Sequence, residues 1–158
     1  MKFVCPLIVV EDLARSRHLY EDVLGLKVIA DFGENLSFEG PFAIHLKSHF
    51  SELIDGKKII KGSNSSEIYF EHDELEILAE KLRAEGLEFV HEIREQPWRQ
   101  KVMRVYDYDK NMLEIGESME HTAFRLAEEG MIYKEIAATL YLSTEQVLKA
   151  IKKYKDNA

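Results

Sequence analysis

The strongest constraint on the fold of this chain is an internal duplication. Residues 1–48 read as strand, helix and three further strands, and the same order returns in residues 66–117. Apolar residues recur at helical spacing in both predicted helices, and short apolar runs separated by turn residues such as Gly33 and Gly40 mark the strands. A repeat of about 50 residues at this level predicts two copies of one supersecondary unit.

The predicted elements of the two modules are joined by a polar linker at residues 49–65. The first module contains strands at Phe3–Val10, Leu26–Asp31, Asn35–Glu39 and Phe42–Lys47, with a helix at Ala14–Leu24. The second contains strands at Glu67–Glu71, Leu87–Ile93, Lys101–Tyr106 and Met112–Gly116, with a helix at Asp73–Glu85. Asp12 is a candidate helix N-cap, and Lys110 stands in the tight turn at 107–111.

Residues 118–158 show no strand pattern and predict a separate helical extension. Helices are expected at His121–Glu129, Tyr133–Leu140 and Thr144–Lys155, and Ser143 with Gln146 has the spacing of a capping box. The sequence therefore predicts an α+β fold of two paired βαβββ modules in residues 1–117, followed by an all-helical segment.

Charge and cysteine content exclude several classes of protein. The net charge of −8 belongs to residues 1–117, because the remaining residues carry six basic and six acidic side chains. Such a chain is a poor partner for nucleic acid, whose binding depends on an excess of lysine and arginine. No apolar stretch reaches the roughly 18 residues of a membrane span. The single cysteine and the absence of a signal-peptide pattern predict a cytoplasmic protein.

Four segments resemble the vicinal oxygen chelate superfamily, which includes glyoxalase I, extradiol dioxygenases, and fosfomycin- and bleomycin-resistance proteins. They are VVEDLARS at 9–16, LYEDVLGL at 19–26, PWRQ at 97–100 and VYDYDKNMLEIGE at 105–117. The resemblance covers about residues 3–117. It departs from the family at the turn, where Lys110 occupies the position usually held by glycine. The resemblance implies a cup-shaped sheet, a small-molecule ligand and a homodimer.

The resemblance also implies a site inside the cup. The positions that match the family's ligand slots hold Cys5, His45, Glu67 and Glu114. Strand alternation places Ala43, His45 and Lys47 on the polar face of their strand, and Glu114 on the polar face of the last strand. A thiolate, an imidazole and two carboxylates suit a divalent cation such as zinc, nickel, manganese, cobalt or iron.

Three functions are compatible with these residues. The first is a glyoxalase-type lyase or isomerase, in which the metal stabilises an enolate or oxyanion and Glu114 or Glu67 serves as base. The second is a non-catalytic protein that sequesters its ligand, as bleomycin-resistance proteins do. In either case Trp98, Lys47, Arg104 and Tyr69 are expected to contact the small molecule.

The third function follows from the extension, where residues 124–147 resemble the helix-turn-helix of bacterial regulators. The second helix would present Thr144, Glu145 and Gln146 to a major groove, and only Gln146 is a good base reader. A neutral extension on an acidic body favours a helical cap over a ligand-sensing DNA regulator.

Overall fold

The computed structural model describes residues 1–156 and contains two four-stranded sheets, six α-helices and one π-helical segment. The first sheet has the strand order β1-β4-β3-β2 and the second β5-β8-β7-β6. The strands are β1 Leu7–Val10, β2 Val28–Asp31, β3 Asn35–Phe38, β4 Phe42–Leu46, β5 Glu67–Glu71, β6 Phe89–Glu95, β7 Lys101–Tyr106 and β8 Met112–Gly116. The helices are α1 Leu13–Arg17, α2 Lys47–Leu53, α3 Leu75–Ala84, α4 Met119–Glu128, α5 Tyr133–Leu140 and α6 Thr144–Lys155. The predicted α+β fold with two βαβββ modules and terminal helices is confirmed.

The first sheet sorts its side chains onto two chemically different faces. β1 runs parallel to β4, while β3 is antiparallel to both β4 and β2. The antiparallel register pairs Leu36 with Ile44, and both are buried. The same register pairs Asn35 with His45 on the opposite face. The predicted alternation in β4 is therefore correct.

The first predicted helix is interrupted, and the interruption has a packing reason. α1 continues into a π-helical segment at His18–Val23, where Leu24 N–H donates to the Leu19 carbonyl at 2.9 Å. The wider turn allows two consecutive side chains, Leu19 and Tyr20, to be completely buried. The Tyr20 ring packs against Phe42 with centroids 5.1 Å apart.

Three boundaries differ from the sequence predictions. The first strand begins at Leu7 rather than Phe3, because Pro6 has no N–H to donate and only its carbonyl joins the ladder, accepting from Ala43 N–H at 3.2 Å. The expected linker begins with a helix, α2, so Lys47 starts that helix instead of ending β4. The Phe50 ring lies against the His45 ring at 5.6 Å, a tertiary contact that a polar stretch of sequence does not reveal.

The C-terminal helices agree with the prediction and have a core of their own. α5 and α6 have the predicted bounds, and the Ser143–Gln146 capping box is formed. α4 begins two residues earlier than expected because Ser118 caps it by accepting from His121 N–H. Their shared core contains Ala123, Leu126, Ile136, Ala137, Leu140, Val147, Ala150 and Ile151. Residues 157–158 of the predicted extension lie outside the described part of the chain.

By internal contacts the chain divides into two compact units. The first unit comprises residues 1–67, 81–88 and 106–112, and the second comprises residues 68–80, 89–105 and 113–158. No helix within residues 1–156 is both long and apolar enough to cross a lipid bilayer. The predicted boundary between residues 117 and 118 stays a prediction.

Candidate functional site

In the first unit, His45 is the predicted site residue with the most defined surroundings. Its side chain is nearly buried at the end of β4. The Asn35 amide nitrogen lies 3.2 Å from His45 Nδ1, and His45 Nε2 lies 2.8 Å from His49 Nδ1. The two imidazole rings stack with centroids 5.0 Å apart. Burial and the nearby His49 lower the pKa of His45, so the pair favours its uncharged form.

The other predicted residues of the first unit have different surroundings. Cys5 is half-buried and precedes β1. Lys47 forms an ion pair with the Glu11 carboxylate. Glu67 is exposed at the start of β5. Within this unit, His45 alone of the four predicted ligands stands beside a further imidazole.

In the second unit, two of the predicted residues come together as an ion pair. Glu114 on β8 is buried, and its carboxylate pairs with the guanidinium of Arg104 on β7. Arg104 Nη1 also lies 3.2 Å from His91 Nε2 on β6. Arg104 was expected to contact a substrate and Glu114 a metal. The structure instead gives the carboxylate a cationic partner from the neighbouring strand.

A second polar group of this unit is organised by Gln100, a buried residue at the end of the β6–β7 hairpin. Its amide oxygen accepts from Trp98 Nε1–H at 2.9 Å, and its amide nitrogen donates to Tyr69 OH at 2.8 Å and to the Glu117 carbonyl at 2.7 Å. Because an indole N–H only donates and a carbonyl only accepts, the orientation of this amide is unambiguous.

Gly116 provides the space that Gln100 occupies. A Cβ at position 116 would lie 2.9 Å from Gln100 Nε2 and 3.1 Å from Val102 Cγ1. Gly116 is therefore required for close packing. The other seven glycines have positive φ angles.

Two predicted substrate residues, Trp98 and Tyr69, are thus fixed by the same amide. The Tyr69 hydroxyl accepts from Gln100 and donates to Glu71 at 3.1 Å. Partial burial raises the pKa of Tyr69 to about 12, so the phenol keeps its proton at neutral pH. Tyr69 is consequently a hydrogen-bond donor on the exposed side of β5.

The predicted metal ligands do not form a ready coordination set. Within residues 1–156, no group of three or more His, Cys, Asp or Glu side chains is arranged to hold a metal ion. Both ring nitrogens of His45 have neighbours within hydrogen-bond distance, and the Glu114 carboxylate is paired with Arg104. The arrangement as it stands fits hydrogen bonding and ion pairing better than coordination.

Sequence reasoning missed three residues of these clusters. His49 follows His45 at a spacing of four and was treated as a loop residue, although that spacing was the available signal. His91 and Gln100 had no local signal. Their roles depend on pairing between β6 and β7 and on the absence of a side chain at Gly116.

Comparison with known proteins supports the family-level interpretation. The model of the glyoxalase-like domain family matches residues 3–120. A structure of a protein of unknown function from Agrobacterium tumefaciens strain C58 superimposes with a TM-score of 0.67 and 38% identity, covering 75% of this chain and 94% of that one. Comparison with curated protein sequences finds no match.

More distant structures share the fold. A lactoylglutathione lyase from Agrobacterium tumefaciens aligns with a TM-score of 0.56 and 17% identity, over 74% of this chain and 93% of that one. A fosfomycin-resistance protein from Mesorhizobium loti aligns with a TM-score of 0.53 and 22% identity, over 71% and 87% of the two chains.

Proposed function

Because this chain belongs to the glyoxalase-like domain family, we propose that it binds a small molecule carrying an oxyanion, such as a carboxylate, through Arg104 and Tyr69. The observation that carries this proposal is the ion pair between Arg104 and Glu114. A guanidinium occupies the surroundings of the carboxylate that was expected to bind a metal. This favours ligand binding of the sequestering type over metal-dependent chemistry.

The chemistry of both residues suits an anion. The Arg104 side chain is only 21% exposed, so a charged group that reaches it meets a weakly screened cation. Its planar fork of N–H donors matches the two oxygens of a carboxylate. Tyr69 adds a neutral donor that stays protonated at physiological pH. Lys47 and Trp98 stay predictions as further substrate contacts.

A metal-dependent lyase or isomerase is the second candidate, and the His45–His49 pair favours it. Two imidazole nitrogens 2.8 Å apart are a donor type that zinc, nickel, cobalt and iron accept. Glu114, Glu67 and Cys5 would be the remaining ligands, and one carboxylate would act as base. The ion would supply a Lewis acid that stabilises an oxyanion.

One substitution separates the two functions. Glu114→Gln removes the competing carboxylate from Arg104 while preserving the shape of the side chain. If Arg104 binds the anion, the variant should bind small carboxylic and phosphonic acids more tightly than the wild type, by about tenfold for one released ion pair. Thermal-shift titration with a panel of such acids measures this, and Arg94→Met on β6 is the control for a general loss of positive charge.

Metal analysis of the same two proteins completes the test. A stoichiometric metal in the wild type that is lost in Glu114→Gln and in His45→Ala would establish the second candidate and refute the first. Anion binding that is no tighter in Glu114→Gln than in the wild type would also refute the first.

A further inference from the structure

The C-terminal helices lie largely beyond the family-matched region, so the family leaves their role open. All the residues discussed below belong to the second compact unit. Within this unit, the helices meet the Trp98 hairpin, which we define as residues 96–100 between β6 and β7.

α4 holds this hairpin through one arginine. Arg125 Nη2 donates to the Arg99 carbonyl at 2.6 Å and to the buried Glu117 carboxylate at 2.7 Å. Arg125 Nη1 donates to Glu95 at 3.3 Å. Arg99 itself has a φ of 72° and pairs with Glu129 of α4 at 3.1 Å. A non-glycine residue in this conformation persists only where surrounding contacts impose it, and here the extension supplies them.

The Trp98 indole is fixed from the other side by Gln100, as described above. Its N–H is already used by the Gln100 amide oxygen, yet the side chain remains 40% exposed. Trp98 therefore offers a ring face whose position is set, with no polar group left to recognise a ligand. Such a ring recognises other flat rings by stacking.

A cavity of about 480 Å³ opens against this ring, and the extension forms the rest of its wall. Its lining includes Pro97, Trp98, Met119, Thr139, Leu140 and Tyr141. A volume of this size lies in the range of small-molecule sites. The surface is mainly apolar, with the Thr139 hydroxyl as a polar group.

Tyr141 is difficult to explain by folding alone. It ends α5 with a φ of 55°, a position that favours glycine, and its side chain is 92% exposed. A tyrosine here adds strain of about 1 kcal/mol and exposes a large ring to water. Stacking on a ligand in the adjoining cavity gives that ring a function.

We propose that this cavity is a second ligand site, which binds a flat aromatic molecule of one or two rings between Trp98 and Tyr141. The extension completes the site by holding the Trp98 hairpin and by providing the second aromatic wall. The charge of the extension argues against nucleic acid as the occupant, because lysines of α6 are paired with acids, Lys149 with Glu145 at 2.8 Å and Lys155 with Glu128 at 3.4 Å. The proposal does not depend on Arg104.

The test uses the full chain and its only tryptophan, Trp98. Titration with 8-anilinonaphthalene-1-sulfonate should quench Trp98 emission by energy transfer, whereas decanesulfonate, an equally charged molecule without rings, should compete poorly. Tyr141→Ala should weaken binding of the aromatic probe about tenfold by removing one ring wall. Thr139→Phe should abolish it by filling the cavity.

Two controls make the result decisive. Tyr133→Ala removes an exposed tyrosine of the same helix that does not line this cavity, and it should bind the probe as the wild type does. Unfolding midpoints verify that every variant is folded. The proposal is wrong if Tyr141→Ala and Thr139→Phe bind the probe like the wild type, or if decanesulfonate competes as well as an aromatic sulfonate. It is also wrong if light scattering shows a dimer that Tyr141→Ala converts to monomer, because a second copy would then cover the cavity.

Discussion

Replacing Tyr20 by phenylalanine tests the buried polar centre of the first unit. The Tyr20 side chain is fully buried and donates to the Asp107 carboxylate at 2.9 Å. Phenylalanine keeps the ring contacts with Phe38 and Phe42 and leaves no cavity. The change therefore removes one hydrogen bond to a buried charged group, which contributes about 1.5–3 kcal/mol.

The pH dependence of this loss follows from Asp107. Burial raises the pKa of Asp107, and donors that include Asn111 and Tyr20 offset part of that rise. A raised acid pKa means that the ionised group opposes folding, so its contribution to stability is lost as pH rises through the folded-state pKa. Without the Tyr20 hydroxyl, the pKa of Asp107 rises further. Tyr20→Phe should then cost about 2–3 kcal/mol near pH 7 but only about 1 kcal/mol near pH 3.5, where the hydrogen bond joins neutral groups.

Urea unfolding of the wild type and Tyr20→Phe at both pH values measures these differences. Tyr141→Phe is the matched control, because that side chain is 92% exposed and should change the free energy of unfolding by less than about 0.5 kcal/mol. An equal loss at both pH values, or a loss below about 0.5 kcal/mol at pH 7, would refute the role assigned to the charged form of Asp107.

Three further changes have definite expected outcomes. Lys110→Gly should stabilise the chain by up to about 1 kcal/mol in urea unfolding, because Lys110 has a φ of 65° and loses only an exposed ion pair with Glu88. Ser143→Ala should lower the free energy of unfolding by about 1 kcal/mol, since it removes the cap of α6; an unchanged urea midpoint would contradict this. Gly116→Ala should cost about 1–3 kcal/mol and shift Trp98 emission, because its Cβ would displace Gln100; an unaltered emission spectrum would show that Gln100 does not position Trp98.

The sequence was informative wherever structure depends on local chemistry. The duplication predicted both sheets, Asp12 and Ser143 cap the helices for which they were proposed, and Lys110 takes the left-handed turn conformation expected of it. Each of these features is decided by a few consecutive residues. Helix α2 was missed because tertiary packing of Phe50 and His49 on His45 supports it.

The candidate site shows the same division. Alternation correctly placed His45 on the polar face of β4, since side-chain direction in a strand has a period of two. The partners of these side chains depend on which strands are neighbours and on small differences in space. Strand pairing brings Arg104 to Glu114, and the missing side chain of Gly116 admits Gln100.

By itself, the sequence determined the repeat of strands and helices, the caps and turns, and the face on which each strand residue lies, because these follow from backbone periodicity and local hydrogen bonding. Only the tertiary structure decided that Glu114 is paired with Arg104 and that Arg125 holds the Trp98 hairpin. These contacts join residues far apart in the chain, and no local pattern encodes distances that arise from the packing of whole strands and helices.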